Sequence, residues 1–291
     1  PDWQELEKPM MADLDSRLNA FRPDLADVKL QGRVDAKKFV EGVVMEVITP
    51  VAALHRDASI TAMQTTQALL GERLMAFEVA DDWVWGQLTR DGYVGYISRA
   101  AVSTDLSNPT HRASVPSTFL YPLPDIKSQP SLCLPMNARF EVVEGGEKFS
   151  KLKNGRFVYT KHIRSLNEAE SDFVGVAEKF LDVPYYWGGK TSQGLDCSGL
   201  VQTALEACGV FSPRDTDMQE TQLGQSLLIN DLDGLRRGDL VFWKGHVGIM
   251  ADQKTLLHAN GHHMMTVKEP LSEAVARIAG TYGQVTSIRR F

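Results

Sequence analysis

The chain has 291 residues, 43% hydrophobic and 23% charged, enough for two or three small domains with cores of their own. Its 31 basic and 37 acidic side chains leave a formal charge of -6, which argues against a nucleic-acid binder relying on phosphate contacts. Three cysteines with no Cys-x-x-Cys pair speak against a disulfide scaffold and a thiolate zinc site, and no apolar run reaches the ~18 residues of a membrane span.

Residues 1–39 are polar and mixed, and read as an N-terminal arm lying across a later domain or as a loose tail. From Phe39 the pattern turns to short strands: Val43–Thr49, Leu74–Val79, Trp83–Leu88 and Tyr93–Ile97, separated by Gly, Asp and Pro signals. Gly71-Glu72, Asp82-Trp83 and Asp91-Gly92-Tyr93-Val94-Gly95-Tyr96 resemble a bacterial SH3-like domain, over 40–104. Residues 105–113 read as a linker. Strands at Ser117–Tyr121, Ala138–Val143, Phe149–Leu152 and Gly155–Tyr159 then predict a second, diverged SH3-like barrel over 114–166.

A third unit spans 168–291. Phe173–Leu181 reads as an amphipathic helix ended by Pro184. A glycine-rich loop, Tyr185-Tyr186-Trp187-Gly188-Gly189, leads to Asp196-Cys197-Ser198-Gly199, where Leu200, Val201, Ala204, Leu205 and Cys208 recur at helical spacing. Asp196 is the expected N-cap and Gly209 the left-handed C-terminal cap. Cys197 then sits in the first turn, where unpaired N–H groups and the helix dipole favour a thiolate. A nucleophile needs a base that is near in space. His246 opens the second of two strand-like runs joined by Lys244-Gly245, and His258 lies on a third. Asn260 competes with His258 for the orienting position, and His262 and His263 read as loop residues. Cys133 and Cys208 read as core. These histidines lack a nearby carboxylate or cysteine ligand set, so no metal and no cofactor is expected.

Tyr-x-Trp-Gly-Gly, Asp-Cys-Ser-Gly, Gly-Asp-Leu-Val-Phe-Trp, Gly-His-Val-Gly-Ile and His-Ala, in that order, resemble the NlpC-type cysteine peptidases of bacterial cell-wall peptides. The resemblance implies an α+β chain: a papain-like C-terminal catalytic domain preceded by two small all-β SH3-like barrels. It implies a Cys-His-His triad of Cys197, His246 and His258, with Tyr185 beside the oxyanion and Ser198 next to the nucleophile. Trp187 reads as packing under its loop or as a contact to substrate. Arg214-Asp215-Thr216 stands where related peptidases carry Arg-Asp-Ser, and in the most similar of these the Asp and a tyrosine of the preceding barrel bind the free amine of an L-alanine. Asp215 and Tyr93 are the matching positions, with Glu72 a weaker third and Arg214, Thr216, Tyr185, Ser198 and Trp187 as further candidate substrate contacts, although Asp215 also suits a helix cap and Tyr93 a barrel surface. The implied partner is a small murein peptide, L-Ala-γ-D-Glu-diamino acid, cleaved after D-Glu in recycling; a hydrolase of wall polymer using the barrels for binding is the alternative. The chain opens Pro1-Asp2-Trp3-Gln4-Glu5, without a basic-then-apolar leader pattern, and free thiols fit a reducing compartment. The expected location is the cytoplasm, or outside it if a leader precedes Pro1.

Overall fold

In the computed structural model, residues 14–228 and 232–291 are described. The part of the expected arm at 1–13 lies outside them. The remainder of the arm packs on the first barrel: Val94 N–H donates to Arg17 O at 2.8 Å, Gln87 Nε2 to Leu18 O at 2.8 Å, and the Arg22 guanidinium lies 4.4 Å over the Trp85 ring.

That barrel is a seven-stranded antiparallel sheet over Val43–Ser103. Trp83–Leu88 and the strands at Val43–Val47, Arg73–Val79 and Val94–Ser98 follow their β-branched and aromatic alternation, burying Met45, Leu74, Val84, Leu88 and Ile97. Two further strands, Val51–His55 and Gln64–Leu69, lie outside the sequence expectation. Residues 111–165 form a second β unit of a three-stranded and a five-stranded sheet around Leu120, Leu134, Phe140, Leu152 and Val158. Here the expected linker is too long. His111–Ala113 is a strand between Arg139–Phe140 and Ile163–Ser165, because Arg112 and Ala113 are buried and their backbone groups need partners.

The third unit carries helices α1 (Phe173–Glu178), α2 (Cys197–Ala207), α3 (Thr216–Gln222) and α4 (Leu271–Ala279). Its sheet has strands β1 (Gln225–Leu227), β2 (Leu240–Trp243), β3 (His246–Met250), β4 (Thr255–Asn260), β5 (Met265–Pro270) and β6 (Ser287–Arg290) in the order β1-β6-β2-β3-β4-β5, all antiparallel. Period-two alternation divides the sheet. Leu240, Phe242, Val247, Ile249, Leu257 and Ala259 pack with α1 and α2, while Val241, Trp243, Met250 and Leu256 pack with Leu271, Ala274 and Ile278 of α4.

Helix α2 is buried along its whole length and is fixed from both β units. Arg112 Nη2 donates to Ala207 O at 2.8 Å and Asn137 Nδ2 to Thr203 O at 3.0 Å, while Gln202 Nε2 reaches Asp91 Oδ2 at 2.9 Å. These bonds set the helix that carries Cys197 at its start. No helix among the described residues is long and apolar enough to cross a membrane.

Candidate active site

Asp196 caps α2. Its Oδ1 accepts from Gly199 N at 2.7 Å and its Oδ2 from Gly188 N at 2.8 Å, which ties the glycine-rich loop to the helix start. Gly199 must be glycine: a Cβ there would meet Gly189 O at 2.1 Å. Arg214 completes the clamp with Nη1 to Asp196 Oδ1 at 3.0 Å, Nη2 to Oδ2 at 2.7 Å, Nη1 to Ser198 Oγ at 2.8 Å and Nε to Thr66 Oγ1 at 2.8 Å. Its side chain is 1% exposed, so it supports the nucleophile turn from beneath and does not line a cleft, a correction to its reading as a substrate contact. Arg214→Met would leave the Asp196 carboxylate largely buried without its cation. A loss of about 3–5 kcal/mol in unfolding free energy is expected by denaturant titration, and a change under 1 kcal/mol would show the clamp to be dispensable.

Cys197 is buried at the first position of α2. Its Sγ lies 3.8 Å from Thr216 Oγ1, and the N–H of Val247 points at it. Strands β3 and β4 pair only at Ile249↔Leu257 and Met250↔Leu256, so the ladder opens before it reaches Val247 and leaves that N–H for sulfur. Burial, followed by the Asp196 charge, pushes the thiol up to about 11. The expected thiolate is therefore not the resting form: removal from water outweighs the helix terminus.

His246 opens β3 and His258 lies on β4, with His246 Nε2 and His258 Nδ1 2.8 Å apart. Burial, then His258 and Arg277, lowers His246 to about 3, so its imidazole rests neutral. Among the described residues the sulfur's partners are Thr216 and the backbone N–H groups of Val247 and Ser198, not the His246 ring; a catalytic hydrogen bond of this kind often tightens only with substrate in place. Asn260 Nδ2 lies 3.1 Å from His258 Nε2, beside that histidine and not in its place. His258 Nε2 also meets Glu269 Oε1 at 2.6 Å, and Arg277 reaches both Glu269 oxygens at 2.5 Å. Sequence reading missed these two. The signal was the short turn between β4 and β5: a hairpin there puts Glu269 diagonally across from His258 on one face.

A cleft of about 660 Å³ opens over Cys197, lined by Tyr93, Tyr185, Trp187, Ser198, Asp215 and Thr216, and by Arg17, Trp85 and Tyr96 from the arm and barrel. Tyr93 OH donates to Asp215 Oδ2 at 3.0 Å across the domain boundary. Tyr93 is 4% exposed, so it is no surface aromatic, and burial beside Asp215 pushes its hydroxyl up and keeps it a donor. Asp215 stands at the N-cap of α3 but caps no N–H with its side chain. Burial raises its carboxyl above the usual range, against the pull of Arg214, Tyr93 and Arg17.

The arm adds a residue the sequence did not single out. Arg17 Nη1 donates to Asp215 Oδ2 at 2.9 Å, and its other nitrogens to Asp217 and Asp15. One guanidinium thus faces three carboxylates. Trp187 is 59% exposed on the cleft rim, where a substrate contact would stand, instead of packed under its loop, and its carbonyl is taken by Gln64 Nε2 at 3.0 Å. One expectation fails here. Glu72 lies outside the cleft in a buried ion cluster with Arg90, Lys190 and Glu206, where opposite charges compensate its desolvation. Cys208 is half-buried and packs against the core around α2, Cys133 is half-buried, and both are free thiols.

The NlpC/P60 family model matches residues 182–280, and the model of the bacterial dipeptidyl-peptidase SH3 domain matches residues 54–102. A γ-D-glutamyl-L-lysine dipeptidyl-peptidase of Bacillus cereus is 27% identical over 226 residues, covering 67% of this chain and 66% of that protein. Dipeptidyl-peptidase 6 of Lysinibacillus sphaericus is 25% identical over 238 residues, covering 74% and 86%. The crystal structure of an NlpC/P60 family protein from Bacillus cereus superposes with a TM-score of 0.71 at 21% identity, over 85% of this chain and 99% of the other, which shows a shared fold.

Proposed function

We propose that this chain, whose C-terminal domain belongs to the NlpC/P60 family and follows a bacterial dipeptidyl-peptidase SH3 domain, cleaves the γ-D-glutamyl–diamino-acid bond of small peptidoglycan peptides with a free N-terminal L-alanine. The observation that carries the reading is the Asp215–Tyr93 pair in the cleft over Cys197. Asp15, Asp215 and Asp217 bracket Arg17 at that end of the cleft, and carboxylates there suit an ammonium. The names of the relatives from Bacillus cereus and Lysinibacillus sphaericus point to the same chemistry.

The Cys197 sulfur attacks the γ-carbonyl of D-Glu as its proton passes to His246; the imidazolium then protonates the leaving amine, and water hydrolyses the thioester. The N–H of Cys197 at the start of α2 is free to stabilise the oxyanion. An acylated N-terminus brings no ammonium to replace Arg17 at the Asp215 carboxylate, so it is bound less tightly. Arm and barrel wall one end of the cleft, which suits released peptides and a recycling step more than long wall strands. Three free cysteines agree with a cytoplasmic setting.

The test is incubation with L-Ala-γ-D-Glu-diaminopimelate and its N-acetyl form. Release of L-Ala-D-Glu from the first alone is expected, and equal cleavage of both would sink the amine recognition. Arg17 competes with that amine for Oδ2. Arg17→Ala is expected to lower KM for the free-amine peptide about fivefold, the equivalent of ~1 kcal/mol for a half-exposed ion pair. A raised KM would instead mean that the guanidinium holds the carboxylate in place.

A further inference from the structure

The chain of contacts behind His246 does not end at His258. His258 Nε2 lies 2.6 Å from Glu269 Oε1 and 3.1 Å from Asn260 Nδ2, and a single ring proton cannot serve both. Asn260 is fixed in orientation, because its Oδ1 accepts from His263 N at 2.8 Å. It can therefore only donate toward Nε2, whereas Glu269 can only accept from it. The Arg277 fork, at 2.5 Å to each oxygen, holds Glu269 as a carboxylate, and a short charge-assisted bond prevails over a neutral contact. Nε2 then carries the proton, Nδ1 of His258 is an acceptor, and the 2.8 Å bond to His246 must be donated by His246 Nε2. His246 Nδ1 is left unprotonated, the one ring nitrogen free to take a thiol proton.

We infer that Glu269 and Arg277 are positioning residues that fix the tautomers of both histidines, and so decide that His246 can act as a base at all. The inference rests on the triad reading above. The groups facing this pair are His263 from the turn after β4, Glu269 from β5, Arg277 from α4 and Tyr282, whose ring stacks on His246 with centroids 6.3 Å apart. Without the carboxylate, Nε2 loses its acceptor and Asn260, a donor, is the partner left directed at it. His258 turns to the Nδ1–H tautomer, donates to His246 Nε2, and leaves His246 protonated at Nδ1.

The experiment pairs peptide kinetics with ring-nitrogen NMR of histidine-labelled protein, for wild type, Glu269→Met, Glu269→Asp and the double variant Glu269→Met/Arg277→Met. The double variant removes the partly exposed Arg277 cation together with its partner, so neither charge is left unpaired as it would be in the single variant. In wild type both histidines should show Nε2–H signals. Glu269→Met and the double variant should show Nδ1–H signals and a kcat lower by on the order of 10²- to 10⁴-fold, as a wrong tautomer produces. KM should stay within about threefold, because no ground-state contact is lost, and Glu269→Asp should recover part of kcat. Wild-type tautomers or wild-type kcat in a folded double variant would overturn the inference. If wild type shows the assigned tautomers but cleaves no peptide, the substrate reading falls and the tautomer assignment stands.

Discussion

Cys197→Ala is expected to lower kcat/KM on the free-amine peptide by on the order of 10⁴- to 10⁶-fold, leaving only the catalysis that binding and the oxyanion site provide. Peptide turnover followed by mass spectrometry would check it, and a loss under about 100-fold would remove the nucleophile from Cys197. The more informative result is the labelling of wild type. A helix N-terminus stabilises an anion by ~0.3–1 kcal/mol, whereas full burial can displace a titration by up to ~3–5 pH units, each worth ~1.4 kcal/mol. Burial wins at this thiol, which is pushed up to about 11 while His246 is lowered to about 3. The resting pair is neutral, and the proton moves during attack. Iodoacetamide should therefore label Cys197 slowly near neutral pH and faster as pH climbs toward 11. Rapid labelling at neutral pH would mean a preformed thiolate–imidazolium pair.

How much of this was legible follows from how far each feature reaches along the chain. Strands whose inward positions are β-branched or aromatic, such as Trp83–Leu88 and Ser117–Tyr121, are plain in the sequence because two-residue periodicity is local. Gln64–Leu69 begins Gln-Thr-Thr-Gln and shows no such period; Val51–His55 recruits it as an outer partner. The nucleophile turn was equally local, since loop, cap and helix are contiguous. Tyr93 and Asp215 became visible only through resemblance. Arg17 and Glu269 reach the site through an arm packed on the barrel and through the register of β4 against β5, and neither carries a motif. Trp187 stays open between packing and contact in the sequence because aromatics beside glycine turns usually pack, whereas here the Gln64 bond to its carbonyl leaves the ring on the rim.

Asp215→Asn should lower kcat/KM for L-Ala-γ-D-Glu-diaminopimelate by on the order of 10²- to 10³-fold while leaving the N-acetyl peptide's slow cleavage nearly unchanged, because removing one partner of a semi-buried ion pair costs ~2–5 kcal/mol. Discrimination between the two peptides should fall to within about tenfold. The wild-type pH profile carries the same signature. The carboxylate must be ionised to hold the ammonium, and burial raises it above the usual carboxylate range. Activity on the free-amine peptide should therefore be lost as pH falls through that raised value, well before His246 takes a proton near 3. On the alkaline side it should decline as the substrate amine loses its proton near ~8. In Asp215→Asn both limbs should flatten, because neither charge any longer contributes to binding, while turnover at saturating peptide keeps the wild-type dependence set by the thiol and His246. If the acid limb persisted unchanged in Asp215→Asn, the titrating group would be another one, and the amine site would have to be sought elsewhere in the cleft.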